Sequence, residues 1–351
     1  MSDKSKKVFV AMSGGVDSSV AACLLKKQGY EVEGVTMLLG LGEEKAENAV
    51  NVARALKIKH RMVDVRDEFK KKVVEYFCNE YLMARTPNPC VQCNKNIKFG
   101  ILMDMAVKEE AMFSTGHYAR INYSPEEMRF ELKKARDRKK DQSYVLYVLK
   151  QEQLARIILP LGEMEKGRTK QLAAEFGLPV NESESQDICF IQHKHYVDFM
   201  KEYVPGFDPV AGEIVLRNGK VLGRHKGIMF YTIGQRKGLG IAYHSPLFVL
   251  GVDLPGNKII VGEEQELYKD VFEVGEVVFN DKRFSALQFR AKVKIRYNST
   301  AHSALCTPID KSVFRVKFDD PQKSITPGQA AVFYEGERVV GGGIISRVVQ
   351  D

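Results

Sequence analysis

The chain has 351 residues, of which 44% are hydrophobic and 28% charged, and its formal net charge is +8. This length predicts two or three domains, and the composition is typical of a folded protein. It has no apolar run long enough to span a membrane, and MSDKSKKVFV lacks the features of a signal peptide. We therefore expect a cytoplasmic protein without membrane association. The basic excess suits a polyanionic partner but does not by itself indicate nucleic acid.

Six cysteines are too few for a secreted disulfide scaffold, so we expect them to be mostly reduced. Cys23, Cys78 and Cys306 lie in helical or strand-like apolar patterns, which predicts buried packing. The other three lie among polar and turn residues: Cys90, Cys93 and Cys189. These three are the candidates for chemistry or metal binding.

The first 120 or so residues alternate short apolar runs, such as VFVAM, VEGVTML, RMVDV and AMFST, with helical patterns. This alternation predicts a parallel sheet with helices on both faces, in the α/β class. The stretch SGGVDSS, residues 13–19, directly follows the first predicted strand. Ligands of such sheets bind beyond the carboxyl ends of the strands, so we expect a ligand at this turn.

Two further segments follow. Residues 151–205 have a helical pattern, including QEQLARIIL, and predict a small central module that carries the loop with Cys189. Residues 206–351 change to period-two runs with turns at Asn218-Gly219 and Pro255-Gly256-Asn257, which predicts an antiparallel β-barrel. The predicted domains are thus 1–150, 151–205 and 206–351.

The SGGVDSS turn has the composition of an anion site. No GxxxxGK[ST] occurs, and no GxGxxG follows a strand, which argues against the two commonest nucleotide motifs. Gly14 and Gly15 let backbone amides approach an anion, and the serines supply hydroxyls at a helix N-terminus. An aspartate is repulsive there unless it caps the helix or meets Mg²⁺, so we expect Asp17 to do one of these. The alternative is a capped turn that binds nothing.

SGGVDSS after a strand resembles the PP-loop of the ATP-pyrophosphatase superfamily, whose members activate an oxygen as its adenylate and release pyrophosphate. Six further stretches resemble the tRNA-specific 2-thiouridylases of the bacterial MnmA/TrmU type, in order and over the whole chain. They are RTPNPCVQCNKNIKFG (85–100), STGHYAR (114–120), KDQSYVLY (140–147), DICFI (187–191), YTIGQRKGLGI (231–241) and TPGQAAVFYEGERVVGGGII (326–345).

The resemblance implies a PP-loop domain over 1–150, a tRNA-binding barrel over 206–351, and ATP-dependent 2-thiolation of the wobble uridine, U34, of tRNA. It implies ATP and Mg²⁺ as cofactors and the tRNAs for Lys, Glu and Gln as substrates. The sulfur donor would be a persulfide relay protein or a cysteine desulfurase. We expect substitution of Gly14 or Asp17 to remove ATP use and leave the fold intact.

Sulfur insertion requires the uridine oxygen to become a leaving group and a sulfur nucleophile that can be regenerated. The resemblance assigns the persulfide to Cys189 and the partner thiol to Cys93, with a disulfide between them after turnover. Cys90 stands where many relatives have an aspartate near the target base, which puts the acid-base group in doubt. It creates a C-x-x-C, and the three cysteines would also suit a [4Fe-4S] cluster with one open iron. A structural zinc is a weaker option, because no fourth ligand is evident and His193 is a poor candidate.

The resemblance also marks binding residues. The positions that match the ATP pocket are Ala11, Met12, Ser13, Gly14, Gly15, Val16, Asp17, Ser18, Met37 and Gly116. The positions that match tRNA or target-base contacts are Asn88, Pro89, Cys90, His117, Lys140, Asp141, Gln142, Arg296, Tyr297 and Gln329. Residues 38–48 are shorter than the corresponding loop in many relatives. The sequence therefore does not show which residues cover the nucleotide.

Two other functions are compatible with parts of the sequence. A PP-loop amidotransferase or ligase would use ammonia and would have no role for Cys93 and Cys189. A catalytically inactive tRNA-binding protein would need neither SGGVDSS nor both cysteines. The presence of all these residues favours the thiouridylase.

Overall fold

The structure is a computed structural model that describes residues 7–40, 43–180, 188–191 and 195–349. The described residues divide into two compact units. The first contains those of Met1–Val73, Cys90–Phe190 and Glu335–Val340, and the second those of Val74–Pro89, Ile191–Tyr334 and Gly341–Asp351. Among these residues, none of the helices has the length and apolar character needed to cross a membrane.

The described residues form short helices and strands. The α-helices are α1 (Val16–Lys27), α2 (Glu43–Ala55), α3 (Arg66–Phe69), α4 (Glu75–Leu82), α5 (Pro89–Cys93), α6 (Met103–Lys108), α7 (Gln151–Leu154), α8 (Lys166–Glu175) and α9 (Tyr196–Tyr203). Two π-helical segments span Lys70–Val74 and Asn94–Leu102, and 3₁₀ turns span Ser143–Leu146, Ile228–Phe230, Glu264–Leu267 and Lys282–Phe284.

The strands fall into three groups along the chain. The first group is β1 (Lys7–Ala11), β2 (Glu31–Leu38), β3 (Lys59–Asp64), β4 (Met112–Ser114), β5 (Ala119–Ser124), β6 (Arg129–Lys134) and β7 (Ile157–Ile158). The second is β8 (Gly212–Leu216), β9 (Val221–His225), β10 (Phe248–Asp253) and β11 (Lys258–Gly262). The third is β12 (Tyr268–Phe279), β13 (Phe289–Lys294), β14 (His302–Asp310), β15 (Val313–Lys323), β16 (Ala330–Glu335) and β17 (Arg338–Val348).

The first unit is built on a parallel sheet with strand order β3-β2-β1-β4-β7. The side chains of Val8, Phe9 and Val10 in β1 are all fully buried, so both faces of the sheet are covered. The order reverses between β1 and β4, and a ligand crevice opens at such a point, beyond the carboxyl ends of the strands. The predicted parallel sheet is confirmed.

Strand β7 corrects one prediction. The stretch QEQLARIIL was expected to be helical throughout, but α7 ends at Leu154 and Ile157–Ile158 pairs with β4. Ile157 is buried, and β-branched residues such as isoleucine have a higher propensity for strands than for helices. This fifth strand therefore extends the sheet past the crevice.

The second unit contains a small mixed sheet with strand order β10-β11-β8-β9. Its core includes Ile214, Val249 and Ile259, all fully buried. The two predicted turns are present between β8 and β9 and between β10 and β11, with positive φ at Gly219 (85°) and Asn257 (48°). Glycine and asparagine adopt positive φ more readily than other residues, which is why the two turns could be predicted from the sequence.

The six strands after this sheet form a closed antiparallel barrel. Their order is β12-β15-β14-β13-β16-β17, and β12 also pairs with β17. The interior is aromatic, with Phe272 packing on Phe318 and Phe279 on Phe314. Closure leaves no free strand edge among these strands. The predicted fold class is confirmed, while the boundaries at 150 and 205 stay predictions.

Gly14 lies closer to α2 than its position in a predicted turn suggested. Its φ is +73°, and a Cβ there would lie 2.6 Å from Cβ of Asn48 and 2.8 Å from the amide nitrogen of Ala49 in α2. These contacts argue against the expectation that substitution of Gly14 leaves the fold unaffected. A side chain at this position must push α2 away or distort the turn.

We predict that Gly14→Ala lowers the free energy of unfolding by about 1–3 kcal/mol, through overpacking and an unfavourable φ. The matched control is Gly167→Ala in α8, where a Cβ would have no heavy atom within 4 Å. That variant should be unchanged or more stable by roughly 0.4–1 kcal/mol. Urea unfolding followed by circular dichroism measures both midpoints. Equal midpoints for the two variants would contradict the packing argument.

Candidate active site

Three loops converge at the carboxyl edge of the parallel sheet. Met12 and Ser13 follow β1, Met37 lies near the end of β2, and Gly116 follows β4. Because β2, β1 and β4 are neighbours in the sheet, these residues occupy one edge of it. Ala11 closes β1 and pairs with Val35 in β2. The first unit thus brings together the positions that the resemblance assigned to ATP.

The turn at residues 13–19 is held by its own serines. Ser18 Oγ accepts a hydrogen bond from the amide of Ser13 (3.2 Å), and Ser19 Oγ donates to the carbonyl of Gly15 (2.8 Å). Helix α1 begins at Val16, and Gly15 is its N-cap residue, without a side-chain cap. The amides at the start of α1 are therefore free of a capping side chain, as an anion site requires.

Gly116 lies directly against this helix start. A Cβ at Gly116 would lie 2.6 Å from the amide nitrogen of Ser18 and 2.8 Å from the carbonyl carbon of Asp17. Only glycine permits the loop after β4 to approach α1 so closely. The loop and the turn therefore form one surface.

Asp17 does not cap α1. Both of its carboxylate oxygens accept hydrogen bonds from Nζ of Lys166, at 2.7 Å each, and one accepts from the hydroxyl of Tyr118 at 2.8 Å. The Lys166 side chain is only 11% exposed. Lys166 was not predicted from the sequence, because nothing in its local pattern relates it to a turn 149 residues earlier.

The three candidate cysteines all belong to the first unit, and none of the three forms a disulfide. Cys90 and Cys93 lie one turn apart on α5, with Cys90 exposed and Cys93 buried. Cys189 is exposed, and the next side chain, Phe190, packs edge-on against Phe69. Cys23, Cys78 and Cys306 are buried, as predicted.

Burial raises the pKa of the Cys93 thiol to about 12, while the ammonium group of Lys98 lowers it and Cys189 and Cys90 raise it. Cys90 keeps an exposed surface, but desolvation by the protein atoms packed around it raises its pKa, against the same lowering by Lys98. Cys189 is thus one of the groups that raise the pKa values of both other thiols. Lys98 was not predicted as a site residue, although it lies in the CNKNIKF stretch that carried the resemblance.

His117 is buried beside the turn. Its Nδ1 is 2.7 Å from Oγ1 of Thr115, and its ring is 5.9 Å from that of Phe99, measured between centroids. Burial lowers the pKa of His117 well below its ordinary value, and Lys98 lowers it further. The imidazole is therefore neutral at neutral pH and can act as a hydrogen-bond donor or acceptor.

Two of the predicted tRNA contacts in the first unit have internal partners. The buried Asp141 carboxylate accepts from the amides of Ala135 (3.0 Å) and Ser143 (3.1 Å), and Oε1 of Gln142 accepts from the amide of Tyr118 (2.9 Å). These side chains hold the loop in shape, while Lys140 beside them is partly exposed. A direct contact between these residues and tRNA stays a prediction.

In the second unit, Gln329 holds the segment that leads to Asn88 and Pro89. Its Nε2 donates to the carbonyls of Thr86 (3.0 Å) and Pro87 (3.2 Å). The amide of Thr86 in turn donates to the carbonyl of Pro327 at 2.9 Å. Gln329 thus has a positioning role that the sequence did not suggest, and its contact with tRNA stays a prediction.

Arg296 also has internal partners in the second unit. Its Nη2 donates to the carbonyls of Lys323 (2.5 Å) and Ser324 (2.9 Å). The neighbouring Tyr297 is 37% exposed, and Nζ of Lys294 lies 5.6 Å from the centre of its ring. Tyr297 therefore offers an aromatic surface beside a cation, which is a common arrangement in nucleic-acid sites.

No group of three or more His, Cys, Asp or Glu residues within the described ranges is arranged to hold a metal ion. The cysteines suggested for a cluster are among the described residues and do not form such a group: Cys90, Cys93 and Cys189. His193 lies outside the described residues. The cysteine arrangement as it stands does not fit a cluster.

Comparison with known proteins identifies three successive family models along the chain. They are described as a tRNA methyl transferase HUP domain (residues 6–193), a tRNA methyl transferase PRC-barrel domain (197–263) and an aminomethyltransferase beta-barrel domain (269–345). The first model alone covers more than half of the chain. The second and third match the small sheet and the closed barrel of the second unit.

Curated relatives match over almost the entire length. A tRNA-specific 2-thiouridylase MnmA 2 of Caldanaerobacter subterraneus subsp. tengcongensis is 44% identical over 99% of this chain and 100% of its own. An MnmA of Desulforudis audaxviator is 45% identical over 98% of this chain and 99% of its own. One of Nostoc punctiforme is 44% identical over 97% and 99%. The chain belongs to the tRNA-specific 2-thiouridylase (MnmA) family.

Proposed function

We propose that this chain uses ATP to replace the C2 oxygen of the wobble uridine, U34, of tRNA by sulfur, which it carries as a persulfide on Cys189. The observation that carries the proposal is that one unit contains both an anion turn at residues 13–19 and three cysteines that form no disulfide, Cys90, Cys93 and Cys189. Its membership of the 2-thiouridylase family supports the same reaction.

The residues around the turn suit the binding of ATP. The uncapped amides at the start of α1 and the glycines Gly14 and Gly116 leave backbone donors that a phosphate can reach. In the first step, the C2 oxygen of uridine attacks the α-phosphorus of ATP, and pyrophosphate leaves. The N–H donors of the turn stabilise the charge that develops on the phosphate oxygens. The Asp17–Lys166 pair holds α1 in position against α8.

The sulfur step uses the chain's own thiols. The terminal sulfur of the Cys189 persulfide attacks C2, and AMP leaves with the former uridine oxygen. Cys93 then attacks the Cys189 sulfur, which breaks the bond to the transferred sulfur and releases 2-thiouridine. Two thiols are oxidised to a disulfide, and the transferred sulfur is reduced, so the electrons balance.

The resemblance suggested two metal groups, Mg²⁺ and a [4Fe-4S] cluster, and each can be compared with the residues that would hold it. A carboxylate is a suitable ligand for Mg²⁺, but both oxygens of Asp17 are held by Lys166, so we assign no step to Mg²⁺. The cysteines are not arranged to hold a [4Fe-4S] cluster. We propose the persulfide route because the chain's own thiols, Cys189 and Cys93, supply the sulfur carrier and the group that releases the sulfur.

The partners follow from the reaction. We propose tRNAs for Lys, Glu and Gln as substrates, and a persulfide relay protein or a cysteine desulfurase as the sulfur donor. Exposure of Cys189 supports loading by another protein, because the donor must reach its sulfur. A PP-loop amidotransferase would give Cys189 no role, and an inactive tRNA-binding protein would not release pyrophosphate.

We predict that Asp17→Asn reduces tRNA-dependent pyrophosphate release by about a hundredfold, because the Asp17–Lys166 pair positions α1 and a misplacement of about 1 Å at an active site can cost roughly 10² in rate. The variant also leaves the ammonium group of Lys166 without its carboxylate. The measurement is pyrophosphate release from ATP in the presence of unmodified tRNA.

The control for this variant is Glu175→Gln, the same chemical change on α8. Glu175 is half-exposed and pairs with Arg168, and exposed pairs contribute little. Pyrophosphate release by this control should match that of the wild type. Release at the wild-type rate by Asp17→Asn would refute the role of the turn.

We predict that Cys93→Ser and Cys189→Ser each abolish formation of 2-thiouridine but retain pyrophosphate release, because activation of uridine requires neither thiol. The matched control is Cys78→Ala. Burial raises the pKa of Cys78 to about 11, so its thiol stays protonated and unreactive at neutral pH. Nucleoside mass spectrometry and a pyrophosphate assay on the same samples separate the two steps. Thiolation by either serine variant would contradict the persulfide route.

A further inference from the structure

The three cysteines differ in their access to solvent. Cys90 and Cys189 are exposed, whereas Cys93 is only 9% exposed. The present inference rests on the proposed function, in which each turnover leaves a disulfide between Cys93 and Cys189. Until that bond is broken, Cys189 cannot accept another sulfur.

A thiol from solution can attack only one end of this disulfide. The Cys93 sulfur is buried, so attack must occur at the exposed Cys189 sulfur. Such attack leaves the reductant covalently bound to Cys189, the residue that has to be reloaded. Direct reduction by a monothiol therefore blocks the persulfide carrier until a second thiol removes the adduct, and even a dithiol would occupy Cys189 while it reacts.

Cys90 is placed to attack the other end. It lies one turn before Cys93 on α5, at a spacing that puts both side chains on the same face of the helix. The Cβ atoms of such a pair are about 5–6 Å apart. A disulfide needs about 3.5–4.5 Å, so a small movement joins the two sulfurs. Attack within one helix is also favoured over attack by a thiol from solution.

We propose that Cys90 is the resolving thiol of the cycle. The Cys90 thiolate attacks the Cys93 sulfur, the Cys90–Cys93 bond forms, and the Cys93–Cys189 bond breaks. Cys189 leaves as a thiolate and takes up a proton. The disulfide moves without any net change in oxidation state, and Cys189 is free for the next persulfide.

The second half of the cycle needs an external dithiol. It attacks the exposed Cys90 sulfur, forms a mixed disulfide there and then closes to its own disulfide. Cys90 and Cys93 are regenerated as thiols, and the dithiol is oxidised. Loading of sulfur and reduction thus occur at two different exposed sulfurs, Cys189 and Cys90.

The test is disulfide mapping after a single turnover. The protein is loaded with a small-molecule persulfide donor, freed of excess donor, and mixed with ATP and unmodified tRNA without reductant. Alkylation at acidic pH stops thiol exchange, and peptide mass spectrometry locates the disulfide. We expect a Cys90–Cys93 disulfide and alkylated Cys189 in the wild type and in the control Cys78→Ala. In Cys90→Ser, the molecules that turned over should carry Cys93–Cys189.

The outcomes separate this inference from the proposed function. If 2-thiouridine forms but the wild type retains Cys93–Cys189, the resolving role is wrong and the proposed function stands. A Cys90–Cys93 disulfide that forms equally well without ATP also overturns the resolving role. If loaded wild-type protein forms neither 2-thiouridine nor a disulfide, the proposed function fails and the resolving role fails with it.

Discussion

The turn at residues 13–19 packs closely against two neighbouring segments, α2 and the loop after β4. The candidate site depends on this packing. On one side, Gly14 lies where a Cβ would be 2.8 Å from the amide of Ala49 in α2. On the other, Gly116 lies where a Cβ would be 2.6 Å from the amide of Ser18. The backbone amides of the turn are therefore in place before any phosphate binds, and such preorganisation reduces the entropic cost of binding.

A second constraint is the difference in burial among the cysteines. A buried Cys93 with a pKa raised to about 12 is protected from oxidants and solution thiols, but it also ionises reluctantly. Lys98 opposes this effect at both Cys93 and Cys90. In the proposed cycle, the exposed Cys189 and Cys90 exchange sulfur and electrons with partners, while the buried Cys93 reacts only within the protein.

Much of the fold was predictable from local patterns, and much of the site was not. The alternation of apolar runs indicated the parallel sheet, and the Asn218-Gly219 turn indicated a hairpin, because period and turn chemistry are local properties. Ile157–Ile158 was misassigned because a two-residue strand has no period to detect. The partner of Asp17 and the Thr86 and Pro87 carbonyls bound by Gln329 lie 149 and more than 240 residues away. Such contacts appear only in three dimensions.

The central claim is that sulfur passes from Cys189 to C2 of U34 at the expense of ATP. The most direct test loads Cys189 with a persulfide whose outer sulfur is isotopically labelled, adds ATP and tRNA that lacks the modification, and analyses the nucleosides. The account predicts labelled 2-thiouridine at position 34 and one AMP for each thiouridine formed. A methylated base, as the family-model descriptions would suggest, or thiouridine formed without AMP would contradict it.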